Sequence, residues 1–170
     1  MVAKLDGLWH RYTRSNVSHP IVTQSLTAAA CFFVGDILAQ ALQGQAYDAP
    51  RTIRMVIFGL CVLGPVGHTW YSWVDKHITK VVEKVALDQL VWAPIFTCVF
   101  FAFNALLSGA ISTVNDEIRG KLLHVLLVNW TFWPAAHVLN FSYVPPQYRI
   151  LYISLLSIPW NAFLSWMANS

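Results

Sequence analysis

Five apolar runs of roughly 20 residues dominate this chain, at 21–42, 53–74, 85–111, 122–143 and 150–167. A run of that length matches the roughly 30 Å hydrocarbon thickness of a bilayer when it is wound as a helix. In lipid every backbone N–H and C=O has to be satisfied internally, which leaves helices or closed barrels. The runs do not alternate, and only Asp36 and Gln40 interrupt the first, so helices are indicated. The fold class is therefore all-α: an integral membrane helical bundle and a single transmembrane domain over 1–170. About four of its helices are expected to cross. The last run is marginal in length and either spans, re-enters or lies at the interface.

Charge supports lipid as the solvent. Only 11% of the residues are charged, against about 25% in a soluble domain, too few to cover a water-facing surface. The net charge of +3 is small and evenly spread, which excludes a nucleic-acid footprint. Residues 1–20 are mixed and basic, with Lys4, Trp9, Arg11, Tyr12 and Arg14. They read as an amphipathic lead-in on the membrane surface rather than a secretory signal. With four spans, Lys4, Arg11, Arg14, Lys76, Lys80, Lys84 and Arg149 fall on one side, and Arg51, Arg54, Arg119 and Lys121 on the other. The N-terminus is thus expected on the side that retains positive charge.

Cys31, Cys61 and Cys98 sit singly in apolar runs and read as small buried hydrophobes. No phosphate-loop, dinucleotide, zinc-protease or nucleophile-elbow motif occurs. Neither enzymatic activity, a metal nor a cofactor is expected. The sequons at Asn16, Asn129 and Asn140 lie in or beside apolar runs and read as chance.

Helices in lipid associate through close packing and polar contacts. Thr27, Cys31, Gly35 and Ala39 recur every four residues as a small-residue face, and Gly59, Gly64 and Gly67 suggest a second. Each run also carries a polar edge at helical spacing: Asp36 and Gln40; His68, Tyr71 and Asp75; Thr97, Asn104 and Ser108; Trp130, Trp133, His137 and Asn140; Ser154, Ser157, Asn161 and Ser165. Asp88 and Gln89 stand near the start of the third run. A polar group facing hydrocarbon costs several kcal/mol, so these edges should turn inward, as a dry hydrogen-bonded core or a wet passage. Asp36 is the clearest intramembrane charge. It is either paired structurally, with Arg54, His68 or Gln40 as candidates, or it lines a path for solutes. Candidate pore-lining or gating residues are Asp36, Gln40, His68, Tyr71, Asp88, Gln89, Asn104, Trp133, His137, Asn140 and Asn161. Pro65, Pro94 and Pro134 should kink their helices. Trp9, Tyr12, Trp73, Tyr143, Tyr148 and Trp166 suit an interfacial belt, whereas Trp130, Trp133 and Trp160 lie deeper.

The ordered series Trp9, Tyr12, His19-Pro20, Gly35-Asp36 with Gln40, Arg51 and Arg54, Gly64-Pro65 with His68, Trp70 and Tyr71, Asp88-Gln89 with Pro94, Trp130, Trp133-Pro134, Asn140-Phe141, Val144-Pro145, Tyr148-Arg149 and Trp160-Asn161 with Leu164-Ser165 resembles the Mpv-seventeen and twenty-two-kilodalton peroxisomal membrane protein family. The likeness covers almost the whole chain. It departs at His137, where the family more often has Gln. The resemblance implies about four spans, no enzymatic activity, and either the mitochondrial inner membrane or the peroxisomal membrane. It also implies channel-like passage of small hydrophilic solutes. The leading reading is thus an organelle channel, with a homo-oligomer expected because a pore in one small bundle would be narrow. The alternative is a non-conducting scaffold with a sealed core. A coupled transporter is disfavoured, since no inverted repeat is visible.

Overall fold

The computed structural model describes residues 2–44, 46–145 and 148–168. Pro146, and the side chains of Lys4, Trp9 and Ser165, lie outside the described residues. Six helices follow one another: α1 Val2–Ser18, α2 Pro20–Gln43, α3 Ala49–His77, α4 Val81–Ser108, α5 Val114–Tyr143 and α6 Arg149–Ala168. No strand occurs among the described residues. Four helices are long and apolar enough to cross a membrane, and a shorter apolar helix follows at the C-terminal end.

Local chemistry sets the ends. Pro20 stands in the first turn of α2, where its missing N–H costs nothing. Gly44 ends that helix at φ 64°, and Gly109 follows α4 at φ 76°, a left-handed conformation that glycine adopts without strain. Asp48 caps α3 by accepting the Arg51 amide at 3.0 Å.

The prolines at 65 and 94 each follow one π-helical turn, Gly59–Leu63 in α3 and Asp88–Trp92 in α4. Proline has no N–H to give, and the helix absorbs the defect by widening just upstream. The Gly64 amide reaches back five residues to Gly59, and the Ala93 amide five residues to Asp88. Pro134 sits inside α5, and Pro159, which the sequence reading passed over, sits inside α6.

α2 is the pivot of the bundle. Gly64 of α3 meets it so closely that an added Cβ would lie 2.3 Å from Ser25 Cα, and a Cβ on Gly59 would lie 2.9 Å from the Ala28 backbone. On the other side, a Cβ on Gly35 would lie 2.7 Å from Asn161 Cβ of α6. Gly35 in one set and Gly59 and Gly64 in the other are the close-approach positions. Gly67 has ordinary room, with its nearest neighbour at 3.5 Å. Phe58 fills the centre, with ring centroids of Phe32, Phe96, Phe100 and Phe103 at 5.1–5.4 Å. Leu26, Leu106, Leu127 and Leu155 stay exposed on the outside, as a lipid-facing surface requires.

α6 runs the depth of the bundle, parallel to α2. Its first residue, Arg149, pairs with Asp75 at the C-terminal end of α3. At its far end, the Met167 carbonyl accepts from Lys121 Nζ at 2.6 Å, at the start of α5. Its apolar stretch, Leu151–Leu164, is shorter than those of the four helices long enough to cross.

The charged stretch between the second and third runs is not a linker. Only Ile78–Lys80 separate α3 from α4. Asp75 and Lys84 are helical and joined to each other, so charge could be carried into the helices without exposing it to lipid. Likewise α5 begins at Val114 rather than near 122, because Asp116 and Glu117 occupy its first turn, where acidic side chains complement the helix dipole. Cys61 is exposed on the outer surface, unlike buried Cys31 and half-buried Cys98, and all three are free.

Candidate functional site: two buried carboxylates

Two carboxylates are withdrawn from solvent inside the bundle, and their surroundings differ. Asp36 of α2, fully buried, receives Arg51 Nε at 2.9 Å, Thr52 Oγ1 at 2.6 Å and Gln40 Nε2 at 2.8 Å. Gln40 lies one turn further along α2 and so shares the face of Asp36. Arg51 and Thr52 come from the first turn of α3, across the short α2–α3 connection. Gln40 Oε1 also accepts the Asp48 amide at 2.6 Å, and Gln43 accepts from an Arg51 guanidinium N–H at 2.7 Å. The charge is compensated on the spot, and the cluster pins the α2–α3 turn. Of the expected partners Gln40 is present. Arg51 takes the place considered for Arg54 and His68, because the N-cap at Asp48 turns Arg51 back over α2.

Asp88 opens the π turn of α4. The wider turn puts both Asp88 and Gln89 on the inner side, where each is buried. His137 Nε2 of α5 lies 3.0 Å from Asp88 Oδ2, Gln89 Nε2 donates to the same oxygen at 3.0 Å, and Trp70 Nε1 of α3 approaches Oδ1 at 3.4 Å. Asn129 Nδ2 donates to Gln89 Oε1 at 2.6 Å. Because Ala93 reaches back to Asp88 and Pro94 has no N–H, the Gln89 carbonyl loses its helical partner. Trp130 Nε1 of α5 supplies one at 3.2 Å. No arginine or lysine joins this cluster among the described residues.

A cavity of about 60 Å³ lies beside the Asp88–His137 pair, lined by residues of α2 to α6, Tyr71, Trp133, Ser157 and Asn161 among them. Trp133 Nε1, His137 Nδ1 and Asn161 Nδ2 are buried and find no hydrogen-bond partner among the described residues. Buried polar atoms are almost always bonded to protein or water, and a polar cavity above about 15 Å³ can hold water. The His137 ring stacks between Trp133 at 5.3 Å and Phe141 at 5.8 Å, four residues either way along α5.

Five of the sequence candidates therefore meet at one cavity: Tyr71, Asp88, Trp133, His137 and Asn161. Gln89 adjoins them. Asp36 and Gln40 form the separate cluster. His68 lies elsewhere, its Nδ1 2.8 Å from Gln24 Oε1 of α2. Asn104 donates to the Phe100 carbonyl at 2.9 Å. Asn140 is fully buried with neither amide atom bonded among the described residues. The sequence reading missed Arg51, Thr52, Asn129 and Trp70 as partners. An arginine just past a short turn, following a carboxylate two helical turns before it, was the available signal for Arg51. It also missed the ion cluster at the other end of the bundle, where Asp75 binds Lys84 and Arg149, with both cations 5.3 Å from the Phe141 ring. Among the described residues no three His, Cys, Asp or Glu side chains come together as metal ligands.

These features define a polytopic helical membrane protein with a polar interior. The chain belongs to the Mpv17 / PMP22 family, whose sequence profile matches residues 105–165. It is 36% identical over 167 residues to Protein SYM1 of Gibberella zeae, covering 92% of this chain and 94% of the relative. It is 34% identical over 178 residues to the mitochondrial inner membrane protein Mpv17 of Xenopus laevis, covering 97% and 99%. It is 33% identical over 173 residues to PXMP2/4 family protein 1 of Dictyostelium discoideum, covering 96% and 86%. No solved structure matches. The protein is a multi-pass protein of the mitochondrial inner membrane, with the peroxisomal membrane as the alternative that the PXMP names carry.

Proposed function

We propose that this protein is a channel-like, non-enzymatic passage for small hydrophilic solutes across its organelle membrane. The observation that carries the reading is the cavity of about 60 Å³ beside Asp88 and His137, lined by polar side chains from four helices, Tyr71, Asp88, Asn129, His137 and Asn161 among them. A scaffold with a sealed core has no use for such a cavity, whereas a hydrated path does. Asp88 and His137 stand on that path. Asp36, saturated by Arg51, Thr52 and Gln40, holds the bundle together beside it. At about 60 Å³ the cavity admits about two waters, so a larger solute requires the bundle to widen or copies to assemble, and a homo-oligomer belongs to the proposal.

Planar-bilayer recording of the purified protein tests this. Discrete openings whose ion preference shifts in Asp88→Asn, and not in Asp36→Asn carried by folded protein, are expected. Silence of folded wild-type protein at all voltages and pH values tried would move the reading to the scaffold.

A further inference from the structure

We infer that the groove between α2 and α6, at the end of the bundle where α2 turns into α3, binds one anionic phospholipid, with an acyl chain in the groove and the headgroup phosphate against Lys121. The inference goes beyond the channel reading and does not depend on it.

The two helices run parallel and meet closely at Gly35. One turn further along α2 a cavity of about 440 Å³ opens between them, within the range of ligand sites. Ala39 and Ala162, both buried, form its floor, and Leu38 and Leu42 on one side and Phe163 and Trp166 on the other form its walls. Two methyl groups stand where larger side chains would fill the space. Leu38, Leu42 and Trp166 are exposed, so the groove opens on the outer face of the bundle.

Its depth and direction suit a lipid chain. From Pro159 to Trp166, both of which line it, is seven residues, about 10 Å along a helix. Half of a hydrocarbon layer is about 15 Å, so the groove takes most of one leaflet's chain length, and it runs parallel to the flanking helices. α2 is long and apolar enough to cross the membrane and ends at Gln43. Gln43 and Trp166 therefore mark the interfacial end of the groove, the level at which tryptophan is favoured.

Charge at that end selects the headgroup. Lys121 Nζ of α5 donates to the carbonyl of Met167, the residue after Trp166, at 2.6 Å. An ammonium has three donors, so two remain. Among the described residues no carboxylate forms an ion pair with Lys121, not even Glu117 one turn before it. The other cation at the groove's end, Arg51, reaches Gln43 but is answered by Asp36. The charge left over beside the mouth is that of Lys121. A lipid phosphate whose headgroup carries no cation of its own complements it, whereas a choline headgroup brings a second positive charge.

Photo-crosslinking of the full-length protein in phosphatidylcholine nanodiscs tests this, with a diazirine in one acyl chain of a trace phosphatidylglycerol or a trace phosphatidylcholine. The glycerol probe is expected to label residues 38–43 and 159–166 several-fold more than the choline probe, and unlabelled phosphatidylglycerol should displace it saturably. Lys121→Gln, which keeps a donor for the Met167 carbonyl, should bring the glycerol probe down to the level of the choline probe. Ala162→Leu fills the floor and should remove most of the saturable labelling by either probe. Trp166→Ala, at an exposed position, should do the same should the floor variant fail to fold. Equal groove labelling by the two probes overturns the inference, as does saturable labelling that survives both Ala162→Leu and Trp166→Ala. Labelling that never saturates and spreads evenly over the exposed Leu26, Leu106 and Leu155 means ordinary boundary lipid and overturns it too. So does a groove left unlabelled in folded protein, the result expected where a second copy of the chain is seated in it.

Discussion

Asp36 and Asp88 are equally hidden, yet one is answered by a permanent cation and the other by a histidine. Asp36 sits where a short turn brings Arg51 and Thr52 back over α2, and a guanidinium, a hydroxyl and the Gln40 amide all reach it within 2.9 Å. Asp88 sits where a proline has forced a π turn, among an imidazole, an amide and indole nitrogens, beside a cavity. A charge matched by arginine cannot be switched off, because the guanidinium stays protonated. A histidine carries charge only when protonated. On the channel reading proposed above, the first arrangement serves architecture and the second the path. π turns recur at functional positions for a related reason, since they re-aim side chains that a regular helix would turn away.

The largest way to break this contrast is to unpair Asp36. Arg51→Leu leaves a buried carboxylate without its cation and should lower stability by about 3–5 kcal/mol, read by thermal unfolding in detergent. Changing Asp36 and Arg51 together to leucine should recover most of that loss, since buried ion pairs are often replaceable by apolar residues of like volume. His137→Gln should cost no more than about 1 kcal/mol, because a hydrogen bond of membrane interiors is typically worth that little. A loss at His137 as large as at Arg51 would erase the distinction between the two clusters. Next in size comes the helix contact beneath both. Gly64→Ala places a Cβ 2.3 Å from Ser25 Cα and should cost at least about 1–3 kcal/mol, the usual range for overpacking. Gly67→Ala, with its nearest neighbour at 3.5 Å, should be close to neutral in the same assay.

Much of this was legible from residues alone. Apolar run lengths give the helices, and the four-residue spacing of Asp36 and Gln40 gives their shared hydrogen bonding. Pro65 and Pro94 mark the two distortions. What spacing cannot give is who meets whom across helices. Arg149 lies 74 residues from Asp75, and nothing in either neighbourhood points to the other. Asp75 was legible on a polar edge, but its partner Lys84 was not, because charge between two apolar runs is ordinarily solvated. Among the eleven candidates only tertiary placement separates Asp36, which is paired with an arginine, from Asp88, which is not. The proline signal at position 94 was visible, but its consequence, a carbonyl freed at Gln89 and an indole from α5 to meet it, depends on where α5 lies.

That last contact offers the finest test of the contrast. The Gln89 carbonyl is orphaned by the helix itself, so Trp130 Nε1 is the donor that compensates the proline. Trp130→Phe keeps an aromatic ring at a position 40% exposed and removes only the N–H. The expected cost is about 0.6–1 kcal/mol, small enough that folding survives. Its informative readout is the conductance of the variant. The π turn that Trp130 braces is the one that turns Asp88 inward, so loosening it should broaden the distribution of open-state conductances, while Trp73→Phe, at another exposed tryptophan, should leave it sharp. Equal behaviour of the two variants would mean that the π turn holds Asp88 in place without help from α5.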